Sequence, residues 1–190
     1  MVTSARLYLV FIGLLYGQRV TELIVSRRHA RRAFALGGVE YGRAHYPVMV
    51  AVHGLFPLAC ALEVLLLGRT FPGALGVAAL VAALAAQAMR LWTMSALGWR
   101  WNTRIIVVPG APPVASGPYR YLRHPNYLAV LVEVLAVPLI HGAWLSALVF
   151  TAASSVIFCV RIPAEERALG ADYAARFAGR PRLLPGVRRA

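Results

Sequence analysis

The chain contains no lysine, and acid is scarce: 7 aspartates and glutamates stand against 20 arginines. Charged residues make up 14% of the chain, against about 25% in soluble domains. That shortage, beside 59% hydrophobic residues, excludes an ordinary water-soluble domain. Cysteine is nearly absent. Cys60 and Cys159 each lie inside an apolar run, which excludes a disulfide framework and a cysteine-based metal site, so no metal is expected. The first apolar run has no small-residue cleavage site in the usual place, so no cleaved leader is expected. Internal repeats and low-complexity linkers are also lacking, and 190 residues read as a single membrane domain.

Long apolar runs and arginine are what the chain has. The runs predict an all-α integral membrane protein with about five transmembrane helices, over residues 7–24, 47–67, 74–94, 126–140 and 144–162. A crossing needs about 20 apolar residues. The fourth and fifth runs are short, with His141-Gly142 as a tight turn between them. Alternating sides place Arg27, Arg28, Arg31, Arg32 and Arg43 in one loop. Arg100, Arg104, Arg120 and Arg123 fall in the second loop on that side, and Arg167, Arg176, Arg180, Arg182, Arg188 and Arg189 in the C-terminal tail. Only Arg6 and Arg69 fall opposite. The positive-inside rule then puts the N-terminus outside and the C-terminus in the cytoplasm, across a bacterial inner (plasma) membrane. A net charge of +13 would suggest nucleic acid in a soluble protein. Here the arginines crowd the loops and no basic-aromatic groove pattern occurs, so no nucleic-acid partner is expected.

Two segments outside these runs carry local signals. Residues 101–108 alternate as a short strand, Pro109-Gly-Ala-Pro-Pro113 is a turn, and residues 114–119 return as a second strand. This predicts a β-hairpin-like flap at the cytoplasmic membrane surface. Pro163 opens a predicted amphipathic surface helix over 163–177, and residues 180–185 follow as an extended strap.

Polar residues beside apolar helices need a reason to be there. Tyr119, Tyr121, Arg123, His124 and Tyr127 gather at the start of the fourth helix, where Asn126 is expected to cap it and free amides favour an anion. Glu165 and Glu166 end the fifth. As neighbours on a helix they point about 100° apart, so one is expected to meet a ligand and the other an arginine such as Arg161. A hairpin of the last two helices brings both blocks to one side as a composite pocket. Within the membrane, Arg19 and Glu22 are three apart and pair on one face. His53, Glu63, Arg90 and Glu133 are further intramembrane candidates, and Glu133 follows Tyr127 closely enough to look into the same cavity.

The pattern Gly117-Pro118-Tyr119, Arg123-His124-Pro125-x-Tyr127, Arg161-x-x-x-Glu165-Glu166-x-x-Leu169 and a terminal Tyr-Arg-Pro series resembles the isoprenylcysteine carboxyl methyltransferase family of integral-membrane enzymes. The likeness covers roughly 101–185. Gln18-Arg19-x-x-Glu22-Leu23, then Glu40-x-Gly42-Arg43-x-His45-Tyr46-Pro47-x-Met49-Val50-x-x-His53, is similar to a bacterial subgroup linked to type III polyketide synthases, which O-methylates alkylpyrones or alkylresorcinols. The chain departs from the wider pattern at Ala129, where glycine is frequent, and at Phe177, where tyrosine is.

The resemblance implies S-adenosylmethionine as the cofactor, held in residues 99–190 against three N-terminal helices in 1–98. Gly117, Tyr119, Arg123, His124, Pro125, Tyr127, Glu165 and Glu166 are the implied cofactor-binding positions. Arg123 or His124 is expected near the methionyl carboxylate and a glutamate near the ribose or ammonium. The implied acceptor is a lipophilic small molecule drawn from among the membrane lipids. His53, His124 or Glu133 is a candidate base and Arg161 a candidate oxyanion partner. Carboxyl methylation of an isoprenylcysteine-like substrate is the near alternative. A membrane NADPH-dependent reductase and a non-catalytic scaffold or transporter subunit are the more distant ones.

Overall fold

A computed structural model describes residues 2–183, Val2 by its backbone alone. Five helices form: α1 Val2–Ala35, α2 Tyr46–Leu66, α3 Ala74–Leu97, α4 Pro125–Leu139 and α5 Trp144–Arg176. Four of them are long and apolar enough to cross a membrane; α4 is the shorter apolar one. Its 15 residues reach only about 22 Å. The all-α membrane architecture expected from the apolar runs is thus present. The fifth helix does not end with its apolar run at residue 162: α5 continues to Arg176 and has 33 residues.

The helix ends differ from the sequence reading for local reasons. α1 continues through Arg27–Arg32, read above as a loop, because no proline or glycine interrupts 18–35. It stops at Gly37 (φ 80°), where the Gly38 amide bonds back to the Ala33 carbonyl. Pro163 does not begin a new helix. α5 runs through it and breaks at Gly170 (φ 76°, ψ −164°), a backbone state that favours glycine. His141-Gly142 is a tight turn as expected, the His141 amide bonding to the Pro138 carbonyl.

The flap is also built differently. Strand β2, Ile105–Val107, pairs antiparallel with β1, Val39–Tyr41, with Glu40 opposite Ile106. Residues 114–119 do not return beside it; they lead into a 3-10 turn at Gly117–Arg120. Proline and Gly117 there withhold strand-forming amides and dihedrals.

Tyr8, Ile12 and Leu15 of α1, Phe56 and Cys60 of α2, Val130, Val134 and Val137 of α4, and Ile157 and Phe158 of α5 share one apolar core. α3 offers Ala79 and Ala83 to it, and α4 packs more extensively on α3 than on any other helix. The outside is as apolar as the inside: Leu14 and Leu148 are each 70% exposed. A soluble fold would not leave such a belt in water; lipid accepts it.

The chain's two ends differ. At one end lie the C-termini of α1, α3 and α5, the starts of α2 and α4, and the β1–β2 pair. At the other, Tyr8 stacks on His141, and Glu63 accepts the Leu145 and Ser146 amides at the start of α5.

Candidate functional site

At the arginine-rich end the Arg123–Tyr127 and Glu165-Glu166 blocks meet. The His124 ring nitrogen Nε2 lies 3.1 Å from Glu166 Oε1, and the Tyr127 hydroxyl donates to Glu165 Oε2 at 2.5 Å. The strap closes over both. The Arg123 and His124 amides bond to the Pro181 and Arg182 carbonyls, and Arg123 Nε to the Arg180 carbonyl. Arg182 forks onto Glu166 at 3.0 and 2.5 Å, which holds its guanidinium above its ordinary value. The strap continues to Leu183; Pro185, Arg188 and Arg189 lie outside the described residues.

Beneath this clasp opens a cavity of about 440 Å³, within the range of small-ligand sites. Tyr119, Arg123, His124, Asn126, Glu165 and Tyr173 form its polar end. Burial, then the nearby Glu165 charge, lifts the Tyr119 phenol well above its ordinary range, so it stays protonated. Asn126 sits inside the first turn of α4 and does not cap it; His124 precedes Pro125 at that end with no side-chain cap bond. Asn126 Oδ1 is buried on the cavity side without a hydrogen-bond partner.

Arg161 lies deeper and is 4% exposed. Its Nη2 donates to the Thr103 carbonyl at 3.0 Å, and its Nε faces the Tyr127 hydroxyl at 3.4 Å. The expected Arg161–glutamate pair is not formed. Among the described residues no carboxylate lies within ion-pair distance of it. A buried cation so placed is costly unless something anionic joins it.

His53 faces the same space from α2. Its Nδ1 lies 2.8 Å from the Met49 carbonyl. A carbonyl only accepts, so Nδ1 carries the hydrogen, and in the neutral ring Nε2 keeps its lone pair. Along the inner wall Arg19, Glu22 and Arg90 line the cavity. Arg90 forks onto Glu22 at 2.9 and 2.5 Å. Arg19 pairs with Glu22 at 2.7 Å, as its spacing implies, and also with Glu133. Glu63 joins neither: it binds Arg69 and the start of α5 at the opposite end.

Of the sequence candidates, the cavity wall holds His53, Tyr119, Arg123, His124, Tyr127, Arg161 and Glu165. Four lie behind it. Gly117 (φ 57°) packs on α3, where a Cβ would come within 2.9 Å of Ala96. Pro125 is buried in the first turn of α4. Glu166 faces the strap, and Glu133, 1% exposed, is turned to Arg19 and does not look into the cavity. Thr103 and Tyr173 were not singled out for this role. Nothing local marks either: Thr103 matters through its carbonyl and Tyr173 through the bend at Gly170.

Comparisons bear on the same region. The profile of the isoprenylcysteine carboxyl methyltransferase (ICMT) family matches residues 77–171. An uncharacterized protein of Bacillus subtilis, YpbQ, is 38% identical over 165 residues, 86% of this chain and 96% of its own. An uncharacterized protein of Haemophilus influenzae is 29% identical over 80% of this chain and 88% of its own.

Proposed function

Because the chain belongs to the isoprenylcysteine carboxyl methyltransferase family, and is thereby a membrane methyltransferase, we propose that it moves the methyl group of S-adenosylmethionine to an anionic oxygen on a lipid-tailed acceptor. One observation carries this reading: Arg161, a buried cation without a carboxylate partner among the described residues, on the wall of a cavity with a polar end and an apolar side.

The residues fit the donor. A zwitterionic amino acid joined to a nucleoside needs a cation, an anion and a free acceptor; Arg123, Glu165 and the orphaned Asn126 Oδ1 offer these on one wall. When bound, S-adenosylmethionine supplies an electrophilic methyl carbon, whose bond to sulfur breaks as the bond to the acceptor oxygen forms. The chain does the rest. Arg123 and the first turn of α4 favour a carboxylate. Tyr127 fixes Glu165 toward the cavity. Arg161 holds the acceptor oxyanion in place. Met49, Val50, Val130 and Phe158 keep the path dry, and alignment in a dry site supplies much of the rate.

A carboxylate of the isoprenylcysteine type and the acidic enol of an alkylpyrone both arrive ionised, and either matches Arg161. An alkylresorcinol, with a phenol pKa of about 10, needs a base, and the His53 Nε2 lone pair is the one available. Glu133, paired with Arg19 behind the cavity wall, is not placed to serve. The mouth toward lipid, between α1 and α2, admits the hydrocarbon tail. The clasped, arginine-rich end faces the cytoplasm, where the donor is.

Calorimetry on the purified protein in detergent tests the reading. S-adenosylhomocysteine binds, NADPH does not, and Glu165→Gln or His124→Ala abolishes the signal. Incubation with lipid extracts and labelled donor, read by mass spectrometry, identifies the acceptor. Binding of NADPH alone overturns the reading in favour of a reductase.

A further inference from the structure

A second recess lies outside the cavity. It occupies about 240 Å³ where the C-terminal part of α1 meets the start of α2, and it is lined by Ser26, Arg27, Arg31, Phe34, Tyr46 and Arg104. Arg27 and Arg31 are four residues apart and so share one helix face. Like charges at that spacing repel, and Arg104 adds a third cation from beside β2. Glu40 pairs with Arg43 and with Arg104, at 3.1 and 3.4 Å. Arg27 and Arg31 have no carboxylate among the described residues. The other α1 arginines are placed differently: Arg32 stacks on Trp99 at 5.0 Å, and Arg28 is outside the recess. The recess is therefore a selected cluster within the wider basic collar.

Depth along the helix decides what fills it. α1 has 34 residues, about 51 Å of helix, and hydrocarbon takes only about 30 Å of that. The apolar part ends near Ser26, so Arg27 and Arg31 stand at the level of the headgroups. Phe34, 40% exposed, and Tyr46, with Arg104 stacked 5.2 Å over its ring, provide apolar surface beside the cations. A guanidinium matches phosphate oxygens in bidentate fashion, and basic recesses between membrane helices suit acidic lipid headgroups.

We propose that this recess binds the phosphate of an anionic phospholipid, with Arg27, Arg31 and Arg104 on the oxygens, the Tyr46 ring beside them, and Phe34, nearly a turn further from the membrane than Arg31, closing the recess on its aqueous side. The site is separate from the methyl-transfer cavity, but Arg104 also lines that cavity, and Tyr46 reaches it through Thr103 at 3.1 Å. A bound lipid thus steadies β2 from outside.

The test uses the full chain in nanodiscs of phosphatidylcholine mixed with phosphatidylglycerol, followed by native mass spectrometry of the lipids retained. Wild type keeps phosphatidylglycerol several-fold above its share of the mixture. Arg31→Gln weakens that enrichment and Arg27→Gln/Arg31→Gln removes it. Arg28→Gln, one position from the recess, leaves it intact. Helix content by circular dichroism stays unchanged in all three. Enrichment that survives the double substitution overturns the proposal. So does an equal loss with Arg28→Gln, which means general attraction to the collar. Displacement by millimolar inorganic phosphate also overturns it, since the ligand is then the free anion. None of these readouts involves methyl transfer, so their failure is distinct from failure of the methyltransferase reading.

Discussion

Glu22 shows how single residues hold this site together. It lies inside the membrane, 5% exposed, and accepts from Arg19, Arg90 and Gln18. Arg19 in turn takes Glu133, so two cations and two anions balance. Removing one member of such a set leaves an uncompensated charge, at a cost of about 3–5 kcal/mol. Glu22→Gln should therefore lower stability by that order. Glu22→Leu/Arg90→Met removes a neutral pair and should recover most of the loss, as thermal unfolding in one detergent would show. A loss below about 1 kcal/mol for Glu22→Gln would mean that water reaches the set. The Arg19–Glu22 pair was legible from its spacing of three. Arg90 and Glu133 were visible only as charges in apolar runs, because their partners lie 68 and 114 positions away. Asn126 was misread for a related reason. Its type suits a cap, but Pro125 already occupies the first helical position, and the amide oxygen is left over for the cavity.

The apolar helices were legible in existence and obscure at their ends, and the short strand β1 was not legible. Hydropathy places all five helices, since twenty apolar residues have few alternatives. It does not show that α1 carries its arginines on as helix, because charge beside an apolar run reads as a loop although arginine is a good helix former. Nor does it show that β2 pairs with β1: the register joins Val107 to Val39, and three-residue strands have almost no pattern of their own. The strap is the clearest case of element-level function. Arg123 and Glu166 bond to it by their side chains and His124 by its backbone amide, so the same residues that the resemblance assigns to the cofactor also hold the cover. Glu166→Gln weakens the fork with Arg182 and leaves His124 an uncharged acceptor. The expected result is about a tenfold drop in S-adenosylhomocysteine affinity, about 1.4 kcal/mol, with faster hydrogen exchange at the Arg123 and His124 amides, which donate to the strap. Unchanged affinity would mean that the strap does not cover the donor.

The proposed function poses the whole molecule a problem of access: its donor is water-soluble and charged, and its acceptor is dissolved in lipid. The clasp at the arginine-rich end serves the first. For the second, the cavity reaches the outer surface between α1 and α2, where Tyr16 and Val20, 50% and 44% exposed, and Gly54, also exposed, form its rim. Gly54 lies eight residues into α2, about 12 Å along its axis, so this mouth is at hydrocarbon depth. A glycine within a helix costs about 1 kcal/mol against alanine, and a Cβ there would meet nothing, so packing does not require it. A clear path does. Gly54→Ala should be neutral or slightly stabilising and leave turnover intact. Gly54→Trp should fill the mouth and cut turnover of a long-tailed acceptor at least tenfold while S-adenosylhomocysteine binds as before. A short-chain acceptor analogue added from the aqueous side should lose much less. Equal losses on both acceptors, or lost donor binding, would place the route of the tail elsewhere. On the proposed reading both approaches end at one oxygen, held by Arg161, a buried cation with no carboxylate within ion-pair distance among the described residues.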